Sequence, residues 1–400
     1  MSRSAARVAG LVGLGLALAG GPVAGRPPPL SPGERPAAGS TEAELWYGMD
    51  QAERALRDLP HVERDAALNA YLQEVLCRVA SAHCDDLRLY VVTNPEFNAS
   101  MAPNGATLVF TGALLRLRSD DELAALLGHE FAHYRQRHSL QQWQASKRSG
   151  AALGTFGVAT LGAGVGLVGG VAQLAGAAGL SGFSREHERE ADALGFEFAA
   201  AQGYMPGAGL ALWERLAREE AAAIGRRHHP VFASHPATAE RVDALRRWTE
   251  TASAEASPAG PPQLPPPEIR RTRYQAAIEP FLDRWLAEEL NRRRYAASIQ
   301  MIGELYAEAP AAWRGRTAHY LGEAYRLRRG DGDAARAAAL QAEAIQAPDA
   351  PPAAFREHGY ARRAAGDDAG ARDALARYLQ LAPDAPDRAF VERDLASLMP

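Results

Sequence analysis

The chain has little cysteine: Cys77 and Cys84 are the only two in 400 residues. That rules out a disulfide-dense scaffold or a cysteine-rich metal cluster as the organising principle. In an oxidising compartment the pair either closes a small loop at a helix end or, inside one continuous helix, lies two turns apart as small buried hydrophobes. Neither charge is in strong excess, with 44 Lys and Arg against 48 Asp and Glu, and nothing points to a nucleic-acid partner. Long apolar runs are also scarce. Arg3 and Arg7 precede an uncharged stretch from Val8 to Gly20, shorter than the ~20 residues that span a bilayer, and small residues Val23-Ala24-Gly25 follow. This pattern predicts a signal peptide over residues 1–25, with no cysteine after it to take a lipid.

The length favours two or three domains. A Pro/Gly/Ser-rich stretch predicts a flexible leader over residues 26–41. Helical spacing of Leu45, Met49, Ala52, Leu56 and of Leu68, Leu72, Val75, Val79 predicts two helices, and Leu87–Thr93 and Ala106–Phe110 read as strands flanking a turn at Pro103-Asn104-Gly105. A further helix starts at Ser119 or Asp120. The 36 residues from Ser149 to Ser184 carry no charge and many glycines. They read as a helical hairpin or lid that lies on protein or touches a membrane surface peripherally, in preference to a spanning helix. Another helix runs from near Ser184 to about Ala201, with Gly203 as its stop. Residues 251–267 are proline-rich and predict a linker that isolates residues 268–400 as an independently folding unit. Within that unit Pro310, Pro348 and Pro383 recur at spacings of 38 and 35, near the 34 of tetratricopeptide repeats, and Phe355, Gly359, Ala371 and Leu375 fit the bulky, Gly, Ala and large-apolar positions. The expected fold is a mostly α, small-sheet α+β zincin-type metallopeptidase domain over 42–250, then an α-helical repeat solenoid.

The chemistry concentrates in His129-Glu130-Phe131-Ala132-His133, an H-E-x-x-H sequence on a predicted helix. Positions i and i+4 share one face, so both imidazoles reach one metal ion, and Glu130 sits about 100° around the helix. A catalytic zinc needs a third protein ligand. The position ten residues after His129 is Ser139, and His138 comes one residue early, so a third histidine at that spacing is excluded. Glu188 and Asp192, i and i+4 on the later helix, offer one ligand carboxylate and one acceptor for a ligand imidazole. Glu186 and Glu190 remain rivals, and His138, His187, His228 and His229 read as surface or structural.

Together with the S-R-x-x-E-x-E-A-D-x-x-G stretch from Ser184 to Gly195, and Ser234-His235-Pro236 followed by Arg241, this motif resembles the HtpX and CAAX-prenyl-protease type of zinc metallopeptidases over about residues 42–250. The resemblance implies Glu188 as third ligand with His129 and His133, Asp192 and Arg241 behind the ligands, one Zn2+ per chain, and a substrate-side edge strand near Asn98-Ala99 and Gly105–Leu115. Zinc would supply Lewis-acid polarisation, Glu130 would act as base and then acid, and His235 or Arg241 would hold the oxyanion. Export signal, catalytic domain and repeats resemble the periplasmic, repeat-bearing members of that type. In those a histidine at the position of His235 approaches the metal and holds the enzyme latent. The expectation is a periplasmic zinc endopeptidase that acts on unfolded or misassembled outer-membrane proteins, its repeats contacting outer-membrane assembly components. The alternative is a non-proteolytic periplasmic chaperone acting through the repeats.

Overall fold

The computed structural model describes residues 26–148, 183–223, 239–254 and 264–398. The expected signal peptide, His228, His229, His235 and nearly all of the uncharged 149–184 segment lie outside them. In chain order the helices are α1 (Thr41–Arg57), α2 (Ala66–Ala80), α3 (Thr111–Arg116), α4 (Asp120–Arg135), α5 (His138–Arg148), α6 (Arg185–Ala201), α7 (Gly207–Ala223), α8 (Ala239–Ala254), α9 (Pro267–Ile278), α10 (Leu282–Asn291), α11 (Tyr295–Ala307), α12 (Arg314–Arg328), α13 (Asp333–Ala344), α14 (Pro352–Ala364), α15 (Asp368–Leu381) and α16 (Arg388–Ser397). Among the described residues no helix is long and apolar enough to cross a membrane.

The single sheet among them holds β1 (Val62–Glu63), β2 (Arg88–Val92), β3 (Ala99–Met101) and β4 (Ala106–Phe110), in the order β1-β2-β4-β3. β2 and β4 run parallel, and β3 pairs antiparallel with β4, Ala99 opposite Val109. The two longer strands lie where the alternating and β-branched residues predict them. The two short edge strands carry too few residues to leave a period. Gly105, at φ 84°, is required where the chain turns into β4, because a Cβ there would lie 2.1 Å from the Asp86 carbonyl oxygen.

Cys77 and Cys84 are bridged, with Cα atoms 4.5 Å apart. The bridge is possible because α2 ends between them: Ser81 takes φ 52° and the chain tightens into a 3-10 turn over Ser81–Asp86, which brings Cys84 back over the helix end.

Two expectations give way. Part of the expected leader is anchored. Leu30 is buried and its N–H donates to the Arg135 carbonyl at 2.7 Å, while the Gly33 N–H donates to Asp86 at 2.9 Å. Glu34 pairs with Arg137. A proline-rich segment gives up little backbone entropy when it docks, and here it caps an orphan carbonyl at the end of α4. Nor does the proline-rich stretch at 251–267 isolate the helices after it. Tyr274, Ile278, Leu282, Trp285 and Leu286 of α9 and α10 belong to the same apolar cluster as Leu72 of α2 and Leu123 and Leu127 of α4. The apolar faces of α9 and α10 are buried against earlier helices, and from α11 onward helices pack chiefly on sequential neighbours, α11 with α12, α12 with α13 and α14 with α15. In the latter pair Gly359 lets the helices close, since a Cβ there would meet Leu375 at 2.8 Å.

Candidate metal centre

The centre is set by α4 crossing α6. Ser119 caps α4 by accepting from the Glu122 N–H, and Ser184 caps α6 by accepting from that of His187. Asp120, Asp121 and Glu122 fill the first turn of α4, where carboxylates oppose the positive helix end. Each is anchored from outside: Asp121 by Arg270 in two bonds of 2.7 and 2.9 Å, Asp120 by Tyr71 and Arg273, Glu122 by Arg215. The helix that carries the motif is thus fixed at its start by arginines of α7 and α9.

At the crossing neither helix tolerates a side chain. A Cβ on Gly128 would lie 2.4 Å from the Gly195 carbonyl oxygen, and one on Gly195 would lie 2.5 Å from the His129 nitrogen. Backbone-to-backbone approach at this point carries Glu188, two turns before Gly195, up to His129 and His133. Their ligand-type atoms converge: His129 Nε2 and His133 Nε2 lie 3.2 Å apart, and Glu188 oxygens lie 3.6 and 3.7 Å from them. Zinc–nitrogen and zinc–oxygen bonds of 2.0–2.1 Å place the corners of a tetrahedron about 3.3–3.4 Å apart. All three residues are buried. Donor types, spacing and burial therefore fit a small divalent ion held by His129, His133 and Glu188.

Glu130 follows His129 on α4 and is buried. Asp192, one turn beyond Glu188, puts Oδ1 2.9 Å from His129 Nδ1. Arg241 on α8 donates to both Asp192 oxygens at 2.7 Å, lies 3.1 Å from Glu188, and has its guanidinium 3.8 Å from the Trp213 ring centre. Burial alone would raise the Asp192 carboxyl, but Arg241 and then His129 outweigh it and hold the group at about 2. With its guanidinium committed to carboxylates and an indole, Arg241 orients the ligand set. That is the place behind the ligands expected of it together with Asp192, rather than the oxyanion role also considered from sequence.

The rival acids separate cleanly. Glu186 is exposed, and Glu190 turns away to Arg26 and to His138 Nε2 at 3.3 Å. His138 is not a surface residue. It is fully buried, its Nδ1 is 2.9 Å from His133 Nδ1, and the His187 ring stacks on it at 4.2 Å. Burial, with His187 beside it, pushes the His138 imidazole down to about 4, so it is neutral at pH 7. Trp213 is equally silent in the sequence, being one more apolar position of an unremarkable helix. A cleft of about 400 Å³, lined in part by Phe183, Glu188, Asp192, Arg241, Leu245 and Trp248, opens beside the centre. The edge strand β3 packs against α4.

Residues 63–249 match the peptidase family M48 profile. Over 190 residues the chain is 33% identical to the mitochondrial metalloendopeptidase OMA1 of Schizosaccharomyces pombe, covering 46% of this chain and 54% of the other. It is 29% identical over 219 residues to a putative beta-barrel assembly-enhancing protease of Vibrio cholerae, 51% and 44% of the two chains. It is 34% identical over 158 residues to the metalloprotease LoiP of Escherichia coli, 38% and 58%. The chain spans about half the length of the curated relatives it matches.

Proposed function

Since residues 63–249 form a peptidase family M48 domain, we propose that this chain is a zinc-dependent metalloendopeptidase of the periplasm that hydrolyses unfolded or misassembled outer-membrane proteins. The observation that carries the reading is the convergence of His129, His133 and Glu188 at tetrahedral spacing, with the buried Glu130 beside them. When bound, zinc would supply Lewis-acid polarisation of water and of the scissile carbonyl. Glu130 takes the proton of the attacking water and returns it to the leaving amine. Asp192 accepts from His129 Nδ1–H and so keeps Nε2 of that ring free for the metal. Arg241 spans Asp192 and Glu188, and Trp213 keeps Arg241 in place.

β3, last in the sheet, offers an edge to which an extended polypeptide adds as a strand, binding mainly through main-chain bonds. The paired helices from α12 onward act as tetratricopeptide-type repeats that meet outer-membrane assembly components, a role suggested by the name of the Vibrio cholerae relative. Residues 149–184 make the peripheral membrane contact. His235 serves as the gate: casein hydrolysis should rise in His235→Ala, and a fall would reassign it to the oxyanion.

The decisive measurement is zinc content and casein hydrolysis of Glu130→Gln against wild type. Zinc should stay at one per chain while hydrolysis drops ~10²–10⁴-fold, the range for loss of a positioned base. Hydrolysis at the wild-type rate would discard the mechanism. Wild type that binds zinc yet cleaves nothing would favour the non-proteolytic chaperone.

A further inference from the structure

We propose that His138, held in turn by Glu190 and Arg26, is the positioning residue of His133, doing for the second ligand histidine what Asp192 and Arg241 do for the first. This rests on the metal-centre reading above and extends it to His138 and Arg26, which lie outside the two motifs, and to Glu190, which stands between Glu188 and Asp192.

Proton order decides the pairing. His133 Nε2 points at His129 Nε2 and Glu188, so in the metal-binding form that nitrogen carries a lone pair and the ring proton sits on Nδ1. The neighbour of Nδ1 is His138 Nδ1 at 2.9 Å. For His133 to donate, His138 must accept there, which puts its own proton on Nε2. That nitrogen faces Glu190 Oε2 at 3.3 Å, and Glu190 also accepts from Arg26 in the docked leader. Every donor in the series then has an acceptor. The reverse order would put the His133 proton on Nε2, among the ligand atoms, and exclude the ion. The pairing therefore selects the tautomer that binds metal, and the carboxylate at its far end fixes its direction.

The geometry is built, not incidental. Arg137 adopts φ 56° between α4 and α5. That left-handed residue reverses the chain so that His138, five positions after His133, returns to the same ring. The Arg137 side chain is tied to Glu34 and Glu42. Phe183 stacks on His133 at 3.9 Å and His187 on His138 at 4.2 Å, which fixes both ring planes.

The test is zinc affinity of the full chain at pH 7, measured by competition with a chromophoric chelator, for wild type, His138→Leu, His138→Asn and Glu188→Ala. Leucine fills the space without an acceptor, and zinc should bind 10–100-fold more weakly, as loss of a partner behind a ligand does. Asparagine places an amide oxygen near the Nδ1 position and should recover most of that loss. Wild-type affinity in His138→Leu, or equal weakening by Leu and Asn, overturns the proposal, the latter because it marks packing alone. If His138→Leu does not fold, Glu190→Leu at its half-buried site carries the test, with weaker binding expected and unchanged binding overturning it. Glu188→Ala separates the two readings. Its loss of zinc beside an unaffected His138→Leu sinks only this inference, while its wild-type affinity sinks the metal centre and the inference together.

Discussion

Among the described residues, two clusters of buried charge are composed differently. At the seam where the first half of the chain meets α10, Arg116 donates to Glu219 at 2.7 Å and to Glu289 at 3.0 Å, and Arg292 reaches Glu289 at 2.9 Å. Ser298 Oγ–H adds a further bond to Glu289. Arg292 also pairs with Glu96 at 2.7 Å and Arg294 reaches Glu96 at 3.4 Å, so three cations face three carboxylates. At the metal centre Arg241 stands among Glu130, Glu188 and Asp192, so among the described residues one cation meets three carboxylates. A balanced cluster holds elements together, here α3, α7 and α10. A cluster whose own residues carry a formal charge of −2 at a buried site beside a cleft is stabilised by a divalent cation.

Breaking the balanced cluster should have the largest effect on stability. Arg116→Met leaves Glu219 and Glu289 buried beside Arg292 alone, and denaturant unfolding should show a loss of about 3–5 kcal/mol. That loss should be the same with or without a chelator, because no metal group takes part. A loss that appears only with metal present would erase the distinction between the two clusters.

Gly195→Ala strikes the other cluster through the backbone. The new Cβ meets His129, so α4 and α6 must part, and overpacking of this kind costs about 1–3 kcal/mol. Metal analysis should show depleted metal in the purified variant. Full metal would mean that the crossing does not govern the ligand spacing.

The smallest effect concerns Glu53, which inverts the metal centre's composition: one buried acid between Arg57 and Arg88, with Tyr90 and Asn104 also donating. Burial would raise this carboxyl, but Arg88, Tyr90 and Arg57 outweigh it and hold it at about 2. A depressed folded-state value means the stabilisation is full above the unfolded value of about 4.3 and fades as pH falls toward about 2. Unfolding midpoints of wild type and Glu53→Gln should therefore differ most above pH ~5 and converge below pH ~3. Parallel curves would show that Glu53 is not ion-paired.

Legible in the sequence is whatever repeats at fixed offsets. His129 and His133 at i and i+4, and Glu188 and Asp192 at the same offset, announce shared helix faces, and β2 and β4 announce themselves by alternation. His138 stays hidden because it reaches His133 only through a left-handed turn at Arg137, a residue type with no bias toward that conformation. Trp213 gives no signal, since a ring under a guanidinium looks the same in sequence as a ring in a core. The docked leader reads as flexible because Pro and Gly mark irregular backbone, which Leu30 and Glu34 then anchor. Tyr274 and Trp285 read as part of a separate unit because periodicity shows that a face must be buried but not against what.

The glycine contact between α4 and α6 also acts as a gauge. With no side chain between the helices, the distance between the histidine pair and Glu188 is set by touching backbones, which cannot be stretched or squeezed without moving whole helices. Ligand side chains on separate loops would adapt to whatever ion arrived. Here the backbones beneath the ligands touch, and the ligand atoms, 3.2–3.7 Å apart, suit an ion with bonds of about 2 Å more closely than calcium, with bonds of about 2.3–2.6 Å and six to eight oxygen ligands.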